Sequence, residues 1–188
     1  MAAQASDDEA LIGRIAAGDR AAMQALYARH SVRVYRFLLR LVRDPTVAED
    51  LVSDVFFDVW QQAGRFEARS SGTTWILSIA RYKALSTYRG RRNVGLDPEW
   101  AESIEDEADT PEVSLQKVSK AAALRRCLDH LSPEHREVID LVYYHERSVE
   151  EVGQVLGIPE NTVKTRMFYA RKRLSEILRE AGIERGWP

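Results

Sequence analysis

Between Ser148 and Leu174 the chain sets out, in order, a capped amphipathic helix, a glycine, a proline and a basic helix. Ser148 is placed to cap the first helix, Glu151 three positions on completes a capping box, and Val149, Val152, Val155 and Leu156 supply an apolar face. Gly157 suits the left-handed residue just past that helix, and Ile158-Pro159 turns the chain before another helix can start. The second helix packs through Val163, Met167, Ala170 and Leu174. That leaves Lys164, Thr165, Arg166, Phe168, Tyr169, Arg171 and Arg173 on or beside its outer faces. The order is that of a helix-turn-helix, and such a second helix fits a DNA major groove, where long basic side chains reach phosphates or guanine edges. A solvated helix in an ordinary bundle would explain the amphipathicity but not the sequence of cap, glycine, proline and basic helix.

The remaining periodicities predict an all-α chain of two small helical domains joined by a flexible acidic linker, the C-terminal domain carrying the helix-turn-helix. After a short helix near Asp8 to Ala17, Met23, Tyr27, His30, Val34, Phe37 and Leu41 follow at steps of four and three, the stripe of one long buried face. Asp44-Pro45 opens a helix to about Ala63, and Gly64 ends it. A polar loop, Glu67 to Gly72, precedes a helix that begins at Thr73 or Thr74 and runs through Trp75, Ile76, Ile79, Ala80 and Leu85 to about Arg92. From Val94 to Gln116 there is no Lys or Arg. Asp97, Glu99, Glu102, Glu105, Asp106, Glu107, Asp109 and Glu112 crowd this stretch, and Pro98 and Pro111 interrupt any helix. Helix returns from about Ser114 to His130, and Ser132-Pro133 caps a further one to about His145. The domain boundaries so read are 8–93, a linker over 94–113, and 114–182.

Composition narrows the function classes. The formal net charge of −2 looks wrong for a nucleic-acid binder, but the average hides a segregation of basic helices from an acidic linker. No stretch approaches the roughly 20 apolar residues of a membrane span, and Met1 to Asp8 has neither a basic nor an apolar leader segment, so a cytoplasmic protein without membrane insertion is expected. Cys127 stands alone, which excludes intramolecular disulfides and thiolate clusters, and His30, His130, His135 and His145 show no ligand spacing. Neither metal nor cofactor is expected.

Two helices carry surfaces with a choice of meanings. Asp50, Asp54 and Asp58 recur every four residues beside Leu51, Val52, Val55, Phe56, Val59 and Trp60. Like charges at that spacing repel weakly, which fits a solvated acidic face, a dock for a basic partner, or a metal site that lacks a second ligand set. Further on, Arg81, Lys83, Arg89, Arg91 and Arg92 interleave with Tyr82 and Tyr88 on a segment that starts beside Phe66 and Trp75. Cations among aromatics suit single-stranded DNA, although Trp75, with Ile76 and Ile79 beside it, equally suits a core.

At this point the whole chain resembles the extracytoplasmic-function (ECF) sigma factors, compact two-domain specificity subunits of bacterial RNA polymerase. The resemblance rests on Ala48-Glu49-Asp50-Leu51-Val52-Ser53-Asp54-Val55-Phe56 with Val59-Trp60, on Arg65-Phe66, and on Thr74-Trp75-Ile76-Leu77-Ser78-Ile79-Ala80-Arg81. It continues through Leu131-Ser132-Pro133-Glu134-His135-Arg136-Glu137-Val138 and Ile158-Pro159-Glu160-Asn161-Thr162-Val163-Lys164-Thr165-Arg166, in the family's order across roughly residues 8 to 181. It implies that Asp50, Asp54, Val55, Phe56 and Trp60 dock on the clamp helices of the polymerase largest subunit. It further implies that Ser71, Thr74, Arg81, Tyr82, Lys83 and Arg89 read and hold open a −10 element, where an extruded base is captured. Lys164, Thr165, Arg166, Phe168, Tyr169, Arg171 and Arg173 would meet a −35 element as duplex, and the acidic linker would thread polymerase channels. An anti-sigma partner is implied as well. Tyr82 and Tyr169 depart from the family, which commonly has Asn and Arg there, so the promoter sequence does not carry over. The reading is a promoter-specificity factor with no catalytic residues; a repressor or activator using the same helix-turn-helix is the alternative, and a metal-dependent enzyme on the Asp row fails for want of ligands.

Overall fold

The computed structural model describes residues 2–93 and 127–180; the acidic stretch 94–113 and most of the helix expected over 114–130 lie outside the described residues. The described elements are all helical: α1 (Ala2–Ala16), α2 (Arg20–Val42), α3 (Pro45–Gln62) with a 3-10 turn at Ala63–Arg65, and α4 (Gly72–Asn93). There follow α5 (Pro133–Ile139), which widens into a π-helical turn (Asp140–Tyr144), α6 (Val149–Leu156) and α7 (Glu160–Glu180). The chain clusters into two compact units, Met1–Ala101 with Glu150–Ile158, and Glu102–Val149 with Pro159–Pro188. No helix among the described residues is long and apolar enough to cross a membrane.

In the first unit α2 is the spine, packed by α1, α3 and α4. Aspartates set its helix starts. The Asp19 carboxylate accepts from the N–H groups of Ala21 and Ala22 ahead of α2, and Asp44 accepts from Val47 N–H at 3.1 Å, with Pro45 in the first turn of α3. Such caps are each worth about 1 kcal/mol. Leu26, Val34, Phe37 and Leu38 of α2 meet Val55 and Val59 of α3 and Ile76, Leu77 and Ala80 of α4 in a fully closed core. The buried stripe of α2 departs from the expected one at its start: Ala22 and Leu26 face inward, whereas Tyr27 is half-exposed and packs edge to face on Phe56, with ring centroids 4.8 Å apart.

Asp8 fastens α1. It is 3% exposed; its Oδ2 pairs with His30 Nε2 at 2.7 Å and accepts from Thr73 Oγ1 at 3.3 Å, and its Oδ1 accepts from Arg29 Nη1 at 2.7 Å. Burial alone would raise this carboxyl, but hydrogen bonds and charge from His30 and Arg29 outweigh it and hold the group below the ordinary carboxylate range.

The second unit rests on α5 against α7, with Val138, Ile139 and Leu141 among Val163, Met167, Ala170 and Ile177 as its buried residues. Ser132 caps α5 through His135 N–H, and Pro133 occupies the first turn. The uninterrupted helix expected to His145 is instead relaxed at its end, where His145 N–H bonds to Asp140 O at 3.2 Å. This i to i+5 turn brings the buried Asp140 and His145 side chains within 3.3 Å, a pairing that 3.6 residues per turn would splay. Cys127 is buried, and desolvation pushes its thiol up, consistent with an apolar packing role.

Gly157 takes φ +66°, and Ile158 N–H closes on Gly153 O at 3.0 Å, so α6 ends as its sequence requires. Pro159 O then accepts from Thr162 and Val163 N–H at 2.9 and 3.1 Å and starts α7. Helix, left-handed glycine, proline and basic helix follow one another along the chain as a helix-turn-helix demands.

Candidate nucleic-acid interface

The period of α7 sorts its side chains cleanly. Val163, Met167 and Ala170 are buried, while Lys164, Thr165, Phe168, Tyr169, Arg171 and Arg173 are exposed. Phe168 and Tyr169, 64% and 53% exposed, stand edge to face at 5.4 Å, an apolar surface that water alone does not reward. Thr165 Oγ1 donates to Asn161 O at 2.9 Å, which commits its proton and leaves its lone pairs to accept. Lys164 lies 3.5 Å from Glu160, and Arg173 lies 3.2 Å from Glu176, both as exposed pairs that DNA phosphates can outbid. Arg166 is different. Its side chain is 22% exposed and its Nη2 sits 3.1 Å from Glu134 Oε2, so this guanidinium ties α7 to the start of α5 rather than standing on the outer face. The sequence alone did not single out Tyr143, which is 56% exposed and lies under the Arg171 guanidinium at 5.8 Å, or the exposed Lys172. A cation held over a ring gains about 0.5–1 kcal/mol and loses little reach.

The segment expected to meet the −10 element is less open than its composition suggests. Tyr82, 66% exposed, and Arg89 face solvent, and Arg81 is half-buried. Lys83 is engaged with Asp58 at 2.9 Å, both side chains largely covered, because α3 and α4 pack side by side. Thr74 is fully buried. Its hydroxyl and that of Ser71 both donate to Glu151 Oε1 at 2.8 Å, so in this arrangement neither hydroxyl is directed to solvent. Ser71 Oγ also accepts from Thr74 N–H and caps α4, which begins at Gly72. Trp75 is half-buried against Phe66 at 5.0 Å, and Tyr88 is drawn inward, its hydroxyl donating to Leu41 O. Between Phe66 and Ser71 the loop exposes Glu67, Ala68 and Arg69, with Ala68 in the left-handed region at φ +53°.

On α3 the structure corrects part of the expected docking face. Asp50 and Asp54 are exposed, but Val55 and Phe56 are 0% and 3% exposed and belong to the core, and Trp60 is half-buried. The apolar run is wider than one face of a helix, so its inner members cannot also be its surface. Phe57 is the aromatic that emerges, 59% exposed and at i+3 from Asp54. Asp50, Asp54 and Phe57 therefore share one stripe. Among the described residues no group of three His, Cys, Asp or Glu side chains is placed to hold a metal ion.

Comparison with known proteins follows this geometry closely. Residues 26–94 match the Sigma-70 region 2 family and residues 127–176 the Sigma-70 region 4 family. The chain is 32% identical over 180 residues to the ECF RNA polymerase sigma factor SigL of Mycobacterium tuberculosis, covering 94% of this chain and 99% of that protein. It is also 32% identical over 170 residues to the RNA polymerase sigma factor CarQ of Myxococcus xanthus, covering 89% and 95%. Among solved structures it resembles CnrH in complex with the cytosolic domain of CnrY, with TM-score 0.68, 26% identity, and 93% and 98% of the two chains covered. A second likeness is to the sigma factor RpoE in complex with the anti-sigma factor NepR from Bartonella quintana, with TM-score 0.64, 28% identity, and 83% and 96% covered. Both regions in order, together with a full-length relative above 30% identity, are decisive: the chain belongs to the ECF family of RNA polymerase sigma factors.

Proposed function

We propose that this chain divides promoter recognition between its two ends, residues 8–93 docking on core polymerase and reading the melted −10 element and residues 114–182 reading the −35 duplex, with 94–113 as the tether. Promoter-specific initiation of transcription is the activity that family membership gives it; the proposal concerns which residues perform each part. The observation that carries it is the outer face of α7, where Lys164, Thr165, Phe168, Tyr169, Arg171 and Arg173 stand together above an apolar inner face. A major groove takes such a helix, the cations meeting phosphates or guanine edges and the aromatics meeting thymine methyls or sugars. Arg166 contributes by fixing the helix to Glu134.

For the −10 element, Tyr82 and Arg89 are the groups that can meet an unstacked base or a phosphate directly, and the loop around the exposed residues 67–69 is the place for a flipped base. Ser71 and Thr74 can join them once Glu151 releases their hydroxyls. Asp50, Asp54 and Phe57 form the dock for a basic, partly apolar helix pair on polymerase, with Val55 and Phe56 holding α3 in place from within. The chain carries out no reaction of its own and works without a cofactor, in the cytoplasm. A protein inhibitor as partner is supported by the similar Bartonella quintana sigma factor, which was solved with an anti-sigma factor bound.

The test is run-off transcription with purified core polymerase on promoters selected from a random pool. Product that requires both the chain and the selected sequence is the expected result. Duplex binding with no product, and no affinity for core enzyme, would instead favour a repressor.

A further inference from the structure

We infer that Asp8 is a positioning residue for reading the −10 element: it locks the start of α4, and with it the loop 66–72, to the body of its unit. The inference rests on the assignment of that loop to the −10 element. Three helices converge on one carboxylate, since His30 and Arg29 from α2 and Thr73 from α4 all bond to Asp8 of α1. The backbone confirms how close the approach is. A Cβ at Gly72 would lie 3.0 Å from Asp8 Cβ and 3.0 Å from Ile12 Cδ1, tighter than ordinary van der Waals contact, so α1 rests flush on the first residue of α4.

The consequence falls on the loop. Its far end is held by Phe66, whose N–H bonds to Ala63 O at 3.1 Å and whose ring packs on Trp75 at 5.0 Å. Its near end is held through Gly72 and Thr73 by Asp8. Between those two anchors lie only the exposed residues 67–69 and the half-buried Ser70 and Ser71. A short loop fixed at both ends is preorganised, and a base entering it does not have to order it first. None of the three partners of Asp8 is itself expected to touch DNA, which is why this role is one of positioning.

The experiment uses holoenzyme assembled from the full chain, with a fork-junction DNA pool randomised in its single-stranded −10 segment and a second pool randomised in the −35 duplex. Bound fractions are sequenced. Asp8→Asn removes the charge that gathers the three partners, and Gly72→Ala keeps every polar group but presses a methyl against Asp8 and Ile12 where α1 meets the start of α4. Both variants should lower enrichment of the wild-type −10 motif about fivefold, the discrimination of a single base contact. Affinity for core enzyme and the −35 selection should stay within about twofold, as for independent sites. A residue that merely stabilised the unit would depress all three together, and Gly72→Ala would by helix propensity alone be neutral or stabilising. Wild-type −10 enrichment in both variants overturns the inference; if Asp8→Asn does not fold, Gly72→Ala decides alone. Absence of any −10 motif with wild-type chain overturns the assignment of the loop and the inference with it, so the two failures are told apart.

Discussion

Arg166 and Arg171 lie five positions apart on one basic helix, yet the structure gives them opposite tasks, and separate alanine substitutions should reveal the difference. Arg166 is bound at 3.1 Å to Glu134, whose side chain is 65% exposed, so Arg166→Ala removes a mostly solvated ion pair and should cost about 0.5 kcal/mol of stability. Arg171 is exposed and steadied over Tyr143 at 5.8 Å. As a phosphate contact it accounts for one released counterion, a slope of about −0.9 in log affinity against log salt. Over a fourfold rise in salt, that single contact changes affinity by about 3.5-fold. Arg171→Ala should therefore weaken binding at low salt and flatten the salt dependence by that factor, losing only the small stability that its contact with Tyr143 supplies. Arg166→Ala should lower stability by the small amount of its ion pair and leave the salt slope unchanged. The measurement is fluorescence anisotropy of a selected −35 duplex at four salt concentrations, alongside thermal denaturation of each variant. Equal slopes for wild type and Arg171→Ala would take Arg171 off the phosphate backbone, and a slope for Arg166→Ala as flat as that of Arg171→Ala would show that Glu134 does not hold Arg166.

Three more outcomes are expected. Asp54→Lys should weaken binding to core polymerase by several kcal/mol through like-charge contact, and Phe57→Ala by about 2 kcal/mol if that ring is a buried anchor, both with unchanged melting temperature; unaltered affinity in a pull-down titration would dismiss the face. Asp8→Asn should destabilise the chain by about 1.5–3 kcal/mol at neutral pH. Because the folded carboxyl lies below its unfolded value of about 4, that difference is fully present above the unfolded value and should shrink as pH falls through the lower folded one, which denaturant titrations across acid pH would follow; a constant difference would deny the shift. Replacing Asp97, Glu99, Glu102, Glu105, Asp106 and Glu107 by their amides should strengthen DNA binding by the free chain and impair early transcription by holoenzyme, and equal affinity before and after would leave that stretch a tether alone.

What the sequence made legible was whatever a single helix determines for itself. The buried and exposed faces of α7, the left-handed Gly157, the caps at Asp44 and Ser132 and the all-helical class follow from periods of three and four and from local hydrogen bonds, none of which needs a neighbour. What stayed hidden was set between helices. Lys83 looks like one cation of a nucleic-acid stripe until α3 brings Asp58 beside it, and Arg166 looks like its neighbours until α5 presents Glu134. Val55 and Phe56 belong to an apolar run too wide to lie on one side, and only the packing of α2 decides that Phe57 is the member left outside.

The same distinction explains how a chain of net charge −2 comes to present DNA-binding surfaces. Charge that binds DNA has to be charge that the fold has not already spent. On α7, Lys164 and Arg173 hold acids only through exposed contacts, which water and salt keep weak, so a phosphate can replace Glu160 or Glu176 at little cost. Lys83 with Asp58, both largely covered, and Arg29 with the buried Asp8 cannot be traded that way, because taking the cation away leaves a desolvated carboxylate short of a partner. Counting Lys and Arg therefore overstates the nucleic-acid face, by Lys83 on α4 and by Arg166 on α7. The cation that matters is recognised by its own exposure together with that of its partner, a property of the packed unit that no composition reveals.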